Sequence, residues 1–294
     1  MPDARELDRS QRGVGASVCV IGLGNLGSAL GRRMFTCGAT VIGVDVSAAA
    51  RQSWRAATDL EAVSNLAEVG WARLESVFVV VRTWVEARSV LQRLSEMMPH
   101  TDQATCFVVT TLDPNFAGGL GGLGPRLRVV ELPVSGGAAG ALAGNLTVLA
   151  AGPLSVRDEE LLRATIATAV VRFDKYGAPT TAKLLNNLVA GFNARALAEA
   201  LLLGDSLGLD ASILHGVISA SSGGSWIAGG FMELLDATLA KDVIILRDYV
   251  GSIPALDVAA SDEFLRCLAA ARKLLAGAPP EHRSHHTEGR TDGE

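Results

Sequence analysis

Apolar residues follow two regimes along this chain. Up to Phe173 they come as short, β-rich runs separated by helix-length segments; beyond it they recur at helical spacing. The runs Ser17–Gly22, Thr40–Asp45, Ser76–Val81, Thr105–Thr111, Leu127–Leu132, Asn145–Ala150 and Ala169–Phe173 read as strands. The early ones are continuously apolar rather than alternating, the pattern of parallel strands covered on both faces. Strand alternating with helix predicts an α/β fold with a doubly wound sheet. From Pro179 to about Leu207 the spacing is helical with no internal proline, and at about 1.5 Å per residue the segment extends roughly 40 Å. That length suits a helix that leaves one domain and forms the spine of another. Asp210 to Ala276 keeps helical periodicity without a convincing strand, so the C-terminal domain is predicted to be all-helical.

The predicted organisation is a mobile leader over residues 1–15, a doubly wound domain over 16–178, a helical substrate and dimerisation domain over 179–276, and a disordered polar tail over 277–294. The leader, MPDARELDRSQRGVG, lacks the apolar stretch of a signal peptide. The tail holds His282, His285 and His286, but short polar tails are usually solvated and no metal site is assigned there.

Composition narrows the function classes. With 49% hydrophobic residues in 294, a large core is available, and a net charge of −5 argues against the concentrated basic face of a nucleic-acid binder. No apolar run approaches a membrane span. Cys19, Cys37, Cys106 and Cys267 form no C-x-x-C pair, and Cys19 and Cys106 lie in strand runs. They read as buried, reduced thiols of a cytoplasmic protein.

The first strand runs directly into Gly22-Leu23-Gly24-Asn25-Leu26-Gly27 and then a helical pattern. Gly22 permits the tight turn, Gly24 lets the backbone approach a pyrophosphate, and Gly27 lets helix and strand pack closely. The helix N-terminus offers N–H groups and its positive dipole end to phosphate. The same glycine spacing recurs at Gly119–Gly124, but Pro125 and a strand follow it, so it reads as a loop. The first match also has Asp45 at the end of the second strand, placed to accept from the adenosine ribose hydroxyls and to repel a 2′-phosphate. This predicts a Rossmann domain binding NAD, with NADP left open by the nearby Arg51.

Two further segments carry candidate chemistry. Ser135-Gly136-Gly137, at a strand end, exposes consecutive N–H groups and a hydroxyl, a cradle for a carboxylate. Lys183 and Asn187 are four apart and share a helix face, while Leu184, Leu185 and Leu188 mark the neighbouring packed face. Partial burial lowers a lysine pKa and makes it useful as a general acid/base.

From about Val18 to Leu246 the order of motifs resembles the β-hydroxyacid dehydrogenase family, which includes 3-hydroxyisobutyrate dehydrogenases and tartronate semialdehyde reductases. The family's G-L-G-x-M-G loop corresponds to Gly22–Gly27, with Leu26 in place of methionine. Its P-V-S-G-G motif corresponds to Pro133–Gly137, followed by Gly140–Ala141 and Gly144–Leu146. Its G-x-G-x-x-x-K-x-x-N-N motif aligns with Gly177–Asn187, and its late K-D pair with Lys241–Asp242. The resemblance implies a nicotinamide-dependent oxidoreductase acting on a small β-hydroxy acid, 3-hydroxyisobutyrate-like, or its semialdehyde. Lys183 would exchange the proton; Ser135, Gly136, Gly137 and Asn187 would hold the substrate carboxylate. Thr111 would sit near the nicotinamide, Lys241 would close over the cofactor, and the helical domain would form a homodimer or higher contact. The chain departs from the pattern at Pro179, where the motif has its second glycine, at Arg82, where a Leu-Pro turn is common, and in a loose Gly118–Gly124. The loop Ser219–Gly230 is where an atypical substrate would be decided. Two alternatives stay open: an NADPH-dependent imine reductase of the same fold, disfavoured by an intact Lys183, and a non-catalytic dinucleotide-binding sensor, disfavoured by Ser135, Lys183 and Asn187 together.

Overall fold

The computed structural model describes residues 15–97, 104–123, 127–233, 236–253 and 262–277. Residues 1–14 of the expected leader and 278–294 of the expected tail, with its three histidines, lie outside the described residues. The chain forms two compact units, residues 1–185 and 186–294.

The first unit is built on one sheet. Its strands are β1 (Ser17–Ile21), β2 (Thr40–Val44), β3 (Ala62–Val63), β4 (Ser76–Val79), β5 (Thr105–Val108), β6 (Arg128–Glu131), β7 (Val134–Ser135), β8 (Leu146–Ala151) and β9 (Ala167–Phe173). They are ordered β3-β2-β1-β4-β5-β6-β8-β7, with β9 also paired to β8. Strands β1 to β6 are mutually parallel, β8 runs antiparallel to β6 and β7, and β9 is parallel to β8. Between them lie helices α1 (Asn25–Thr36), α2 (Ala48–Thr58), α3 (Trp84–Met97), α4 (Pro114–Gly118), α5 (Gly137–Ala143) and α6 (Val156–Thr165).

Alternate residues of the strands feed two cores. Val18, Val20, Phe78, Phe107 and Val130 join one cluster with Leu30, Met34 and Trp54 from the helices. Cys19, Ile21, Val77, Val79 and Val108 join the other with Leu91 and Leu94. Phe78 and Phe107 stack with ring centroids 4.7 Å apart, and truncating such a ring to alanine costs about 3–5 kcal/mol. Burial on both faces is the physical reason the parallel strands carry unbroken apolar runs.

Strands β1, β2, β4, β5 and β6 end earlier than those runs, whereas β8 ends one residue later and β9 starts two residues earlier. One more ladder bond follows each of β4 and β5, Val80 N–H to Ile21 O (2.8 Å) and Val109 N–H to Val79 O (2.9 Å), before the backbone turns away. Val80, Val81 and Thr110 therefore continue the apolar pattern as partly or fully buried loop residues. Gly118–Gly124, expected as a loose loop, is instead helical over Leu120–Leu123. The glycine at 121 lets this turn pack closely: a Cβ there would come within 3.1 Å of the Tyr176 ring.

Helix α7 (Ala178–Ser206) starts in the first unit and continues into the second, where α8 (Ala211–Ala220), α9 (Trp226–Gly229), α10 (Asp236–Val250) and α11 (Asp262–Gly277) follow. No strand occurs among the described residues of the second unit. Leu197, Ala198, Leu201, Phe231, Val243 and Leu246 are buried there. Leu184 and Leu188 of α7 are buried as the spacing predicts, but Leu185 is 48% exposed, so the packed stripe is narrower than three leucines suggest. No described helix is long and apolar enough to cross a membrane.

Candidate active site

At the C-terminal end of β1 the chain turns on Gly22, whose φ of +96° and a distance of 2.3 Å between a Cβ built there and Val80 O exclude any side chain. A Cβ on Gly27 would lie 1.9 Å from Gly22 O, so loop and helix touch directly. Gly24 is different: it is exposed, and a Cβ on it would meet nothing within 4 Å. It is the N-cap of α1 and gives that helix no side-chain cap. Gly24 thus leaves the approach to the first turn of α1 clear of any side chain of its own, the arrangement that receives a pyrophosphate. The residues present fit a dinucleotide.

Asp45 follows β2 and ties the loop down. Leu23 N–H donates to its Oδ2 at 2.7 Å and Ser47 N–H to its Oδ1 at 2.8 Å. A carboxylate offers about four acceptor positions, so acceptor capacity remains on both oxygens for ribose hydroxyls. Arg51 Nη1 donates to the carbonyls of Asp45 (2.7 Å) and Val46 (3.0 Å), which holds the guanidinium against the same turn. Thr110, not anticipated as a site residue, fixes the neighbouring loop: its Oγ1 accepts from Val81 N–H at 3.0 Å and lies 3.0 Å from Val81 O. Thr111, the residue expected beside the nicotinamide, is the next along and half-buried. Arg82 is an exposed arginine bound to Glu86 through its backbone N–H (3.0 Å) and Nη2 (3.2 Å).

The expected carboxylate cradle lies where β7 ends. Ser135 pairs with Thr147 of β8, and Gly136 (φ +121°) and Gly137 (φ +62°) then turn the chain into α5. Both conformations are strained for any other residue.

Glu131, at the end of β6, was not anticipated at all. It is fully buried, and its Oε2 and Oε1 accept the N–H groups of Gly177 (2.6 Å) and Thr180 (2.8 Å) at the start of α7. Tyr176 adds a bond from its hydroxyl to Val129 O at 2.6 Å. Burial, and after it the Glu131 charge, push the Tyr176 hydroxyl pKa above its ordinary value. Pro179 sits in this first turn, where a missing N–H costs nothing. Lys183 follows, half-buried, one turn further along the helix.

In the second unit Asn187 is buried, and its Nδ2 donates to Asp242 Oδ2 at 2.7 Å. Asn186 Nδ2 donates to Asn187 Oδ1 at 3.3 Å. Asp242 is 1% exposed; its Oδ1 has no well-formed hydrogen bond among the described residues but faces the Lys241 ammonium at 3.4 Å. The acid fixes which way the Asn187 amide points. The Ser219–Gly230 segment is ordered as the end of α8, a turn closed by Gly224 N–H to Ser221 O (2.9 Å), and α9, with Trp226 76% exposed. Among the described residues no cluster of His, Cys, Asp or Glu could hold a metal ion.

Two family models match the chain. One, described as the NAD binding domain of 6-phosphogluconate dehydrogenase, matches residues 17–164. The other, described as the NAD-binding of NADP-dependent 3-hydroxyisobutyrate dehydrogenase, matches residues 177–245. Over 217 residues the chain is 31% identical to an L-threonate dehydrogenase of Cupriavidus necator, covering 72% of each chain. It is 28% identical to the mitochondrial 3-hydroxyisobutyrate dehydrogenase of Homo sapiens, covering 70% of this chain and 62% of that one. Its fold is similar to that of a solved 3-hydroxyisobutyrate dehydrogenase from Salmonella typhimurium, with a TM-score of 0.70 at 23% identity over 89% of this chain and 95% of the other.

Proposed function

We propose, from the premise that this chain belongs to the β-hydroxyacid dehydrogenase family of NAD(P)-dependent hydroxyacid dehydrogenases, that it interconverts a small β-hydroxy acid of the 3-hydroxyisobutyrate kind and its semialdehyde, with Lys183 as general acid/base. The observation that carries this reading is the pair Lys183 and Asn187, one turn apart on continuous α7, with the Asn187 amide oriented by a buried Asp242. One N–H of that amide is spent on Asp242, and the second is the donor we assign to the substrate carboxylate. Ser135 and the backbone N–H groups of Gly136 and Gly137 are assigned to the same carboxylate.

In the oxidative direction the Lys183 amine takes the proton of the substrate hydroxyl; in the reductive direction its ammonium returns a proton to the carbonyl oxygen. Bound NAD(P) supplies the redox chemistry. Leu23, Gly24, Asn25 and Leu26 would carry its pyrophosphate, with Thr111 and Lys241 assigned to the nicotinamide side. The Asp45 carboxylate, ready to accept from ribose hydroxyls, supports NAD over NADP.

The test is steady-state turnover of L-threonate and of 3-hydroxyisobutyrate with NAD+ and with NADP+, on the wild type and on Lys183→Ala. Lys183→Ala should lower kcat by about 10²–10⁴-fold, the usual contribution of a positioned acid/base, and leave NADH binding in place. Full turnover in that variant would remove Lys183 from the chemistry, and turnover of neither acid by the wild type would reject the substrate class.

A further inference from the structure

We infer that Glu131 is a positioning residue for the proton transfer, locking the helix that carries Lys183 to the strand that leads into Ser135. The inference rests on the Lys183 reading above and adds a residue that neither motif contains.

The amides at the start of α7 can be accounted for one by one. Gly177 N–H goes to Glu131 Oε2 and Thr180 N–H to Glu131 Oε1. Ala178 N–H reaches Lys175 O at 3.3 Å, Pro179 has none, and Thr181 N–H makes the first intrahelical bond, to Gly177 O at 2.9 Å. The helix end is therefore held by a single buried carboxylate on two donors three residues apart. Two bonds from one rigid acid to two points of a helix fix its rotation as well as its slide. Tyr176, bonded to Val129 O, adds a second attachment two residues back along the same strand.

Lys183 lies three residues past Thr180, about 4.5 Å further along the axis. The backbone at Lys183 sets the volume its ammonium can reach, so a turn or slide of the helix changes how often that group sits at the reacting oxygen. In the other direction along the chain, Ser135 follows Glu131 by four residues. One acid thus sits at the root of both segments to which the chemistry is assigned. A displacement near 1 Å at a reacting group can cost about 10²-fold in rate.

A simple helix cap would make a different prediction, and a double-mutant cycle separates the two. Glu131→Gln keeps the side chain's size but leaves one acceptor oxygen and sets an amide N–H₂ against a backbone N–H. With the acid that the wild type oxidises, L-threonate or 3-hydroxyisobutyrate, Glu131→Gln should lower kcat by about 10–100-fold while the NADH dissociation constant stays within about threefold. In the Lys183→Ala background the same substitution should cost clearly less than in the wild type, because no ammonium remains to be placed and only the smaller shift of Ser135 and Asn187 is left. Where Lys183→Ala is too slow to follow, added ethylamine supplies a diffusible base that no helix positions, and Glu131→Gln should lower the rescued rate much less than it lowers that of the wild type.

An unchanged kcat in Glu131→Gln, or the full loss repeated in the Lys183→Ala background, would overturn the positioning role. Should Glu131→Gln fail to fold, Glu131→Asp, which keeps both acceptors on a stem one methylene shorter, is judged by the same criteria. Wild-type turnover in Lys183→Ala alone would sink the proton-relay reading instead, so the two failures are told apart.

Discussion

Helix α1 begins at Gly24 with no side-chain cap, whereas α7 begins with the Glu131 carboxylate bonded to two amides of its first turn. Both ends present the same chemistry, a ring of N–H donors and a positive dipole end that favours an anion. In α7 the anion is internal and buried, and the end is spent on holding the helix still. In α1 the place is left open, and an exposed glycine with nothing near its missing Cβ keeps it so. Under the proposed function, one fold uses one electrostatic device twice, once for rigidity and once for a ligand, and the choice turns on a single side chain at each site.

The largest effect expected from breaking that contrast is on stability. Glu131→Ala leaves two buried N–H groups without partners, which should cost about 3 kcal/mol, read as a lower urea midpoint at unchanged slope. Next comes the conversion of the open end into a closed one. Gly24→Asp would place a carboxylate at an N-cap of extended backbone (φ −66°, ψ −173°) with room for it. Fold stability should rise by a few tenths of a kcal/mol at most. NADH should bind roughly 100-fold more weakly, since bringing like charges together costs several kcal/mol. Equal NADH affinity in Gly24→Asp and wild type would mean that the α1 terminus is not the phosphate site. Smallest is Asp45→Ala, expected to weaken NADH about tenfold through lost charge-assisted bonds and to narrow the preference over NADPH. Fluorescence titration with both nucleotides checks it; an unchanged ratio would exclude Asp45 from the choice.

How far these features could be read from the sequence depends on how local they are. The Gly22–Gly27 turn and the strand–helix alternation are written in consecutive residues, and the parallel sheet follows from runs buried on both faces. Lys183 and Asn187 show as a pair because one turn of helix brings them to one side. Glu131 does not show in this way: its partners lie 46 and 49 residues later, and an acid inside the run Leu127–Leu132 reads locally as an interruption. The signal was present in reverse, since a charge in a strand otherwise apolar must find donors when buried. The two-residue strands β3 and β7 are too short to carry a period, and the overlong strand ends reflect burial that persists after the ladder stops. Leu185 shows the opposite error: apolar and in phase with its neighbours, it is exposed.

Pro179 has a consequence for how this chain can vary. It occupies a buried position between two amides that share one acid, and as an imino acid it asks for no acceptor. Replacing it with almost any other residue would bring a further N–H into this buried turn, and that donor would compete for the acceptor capacity left on Glu131. The proline and the glutamate therefore act on one set of donors and acceptors, and substitutions at the two positions should be non-additive when combined.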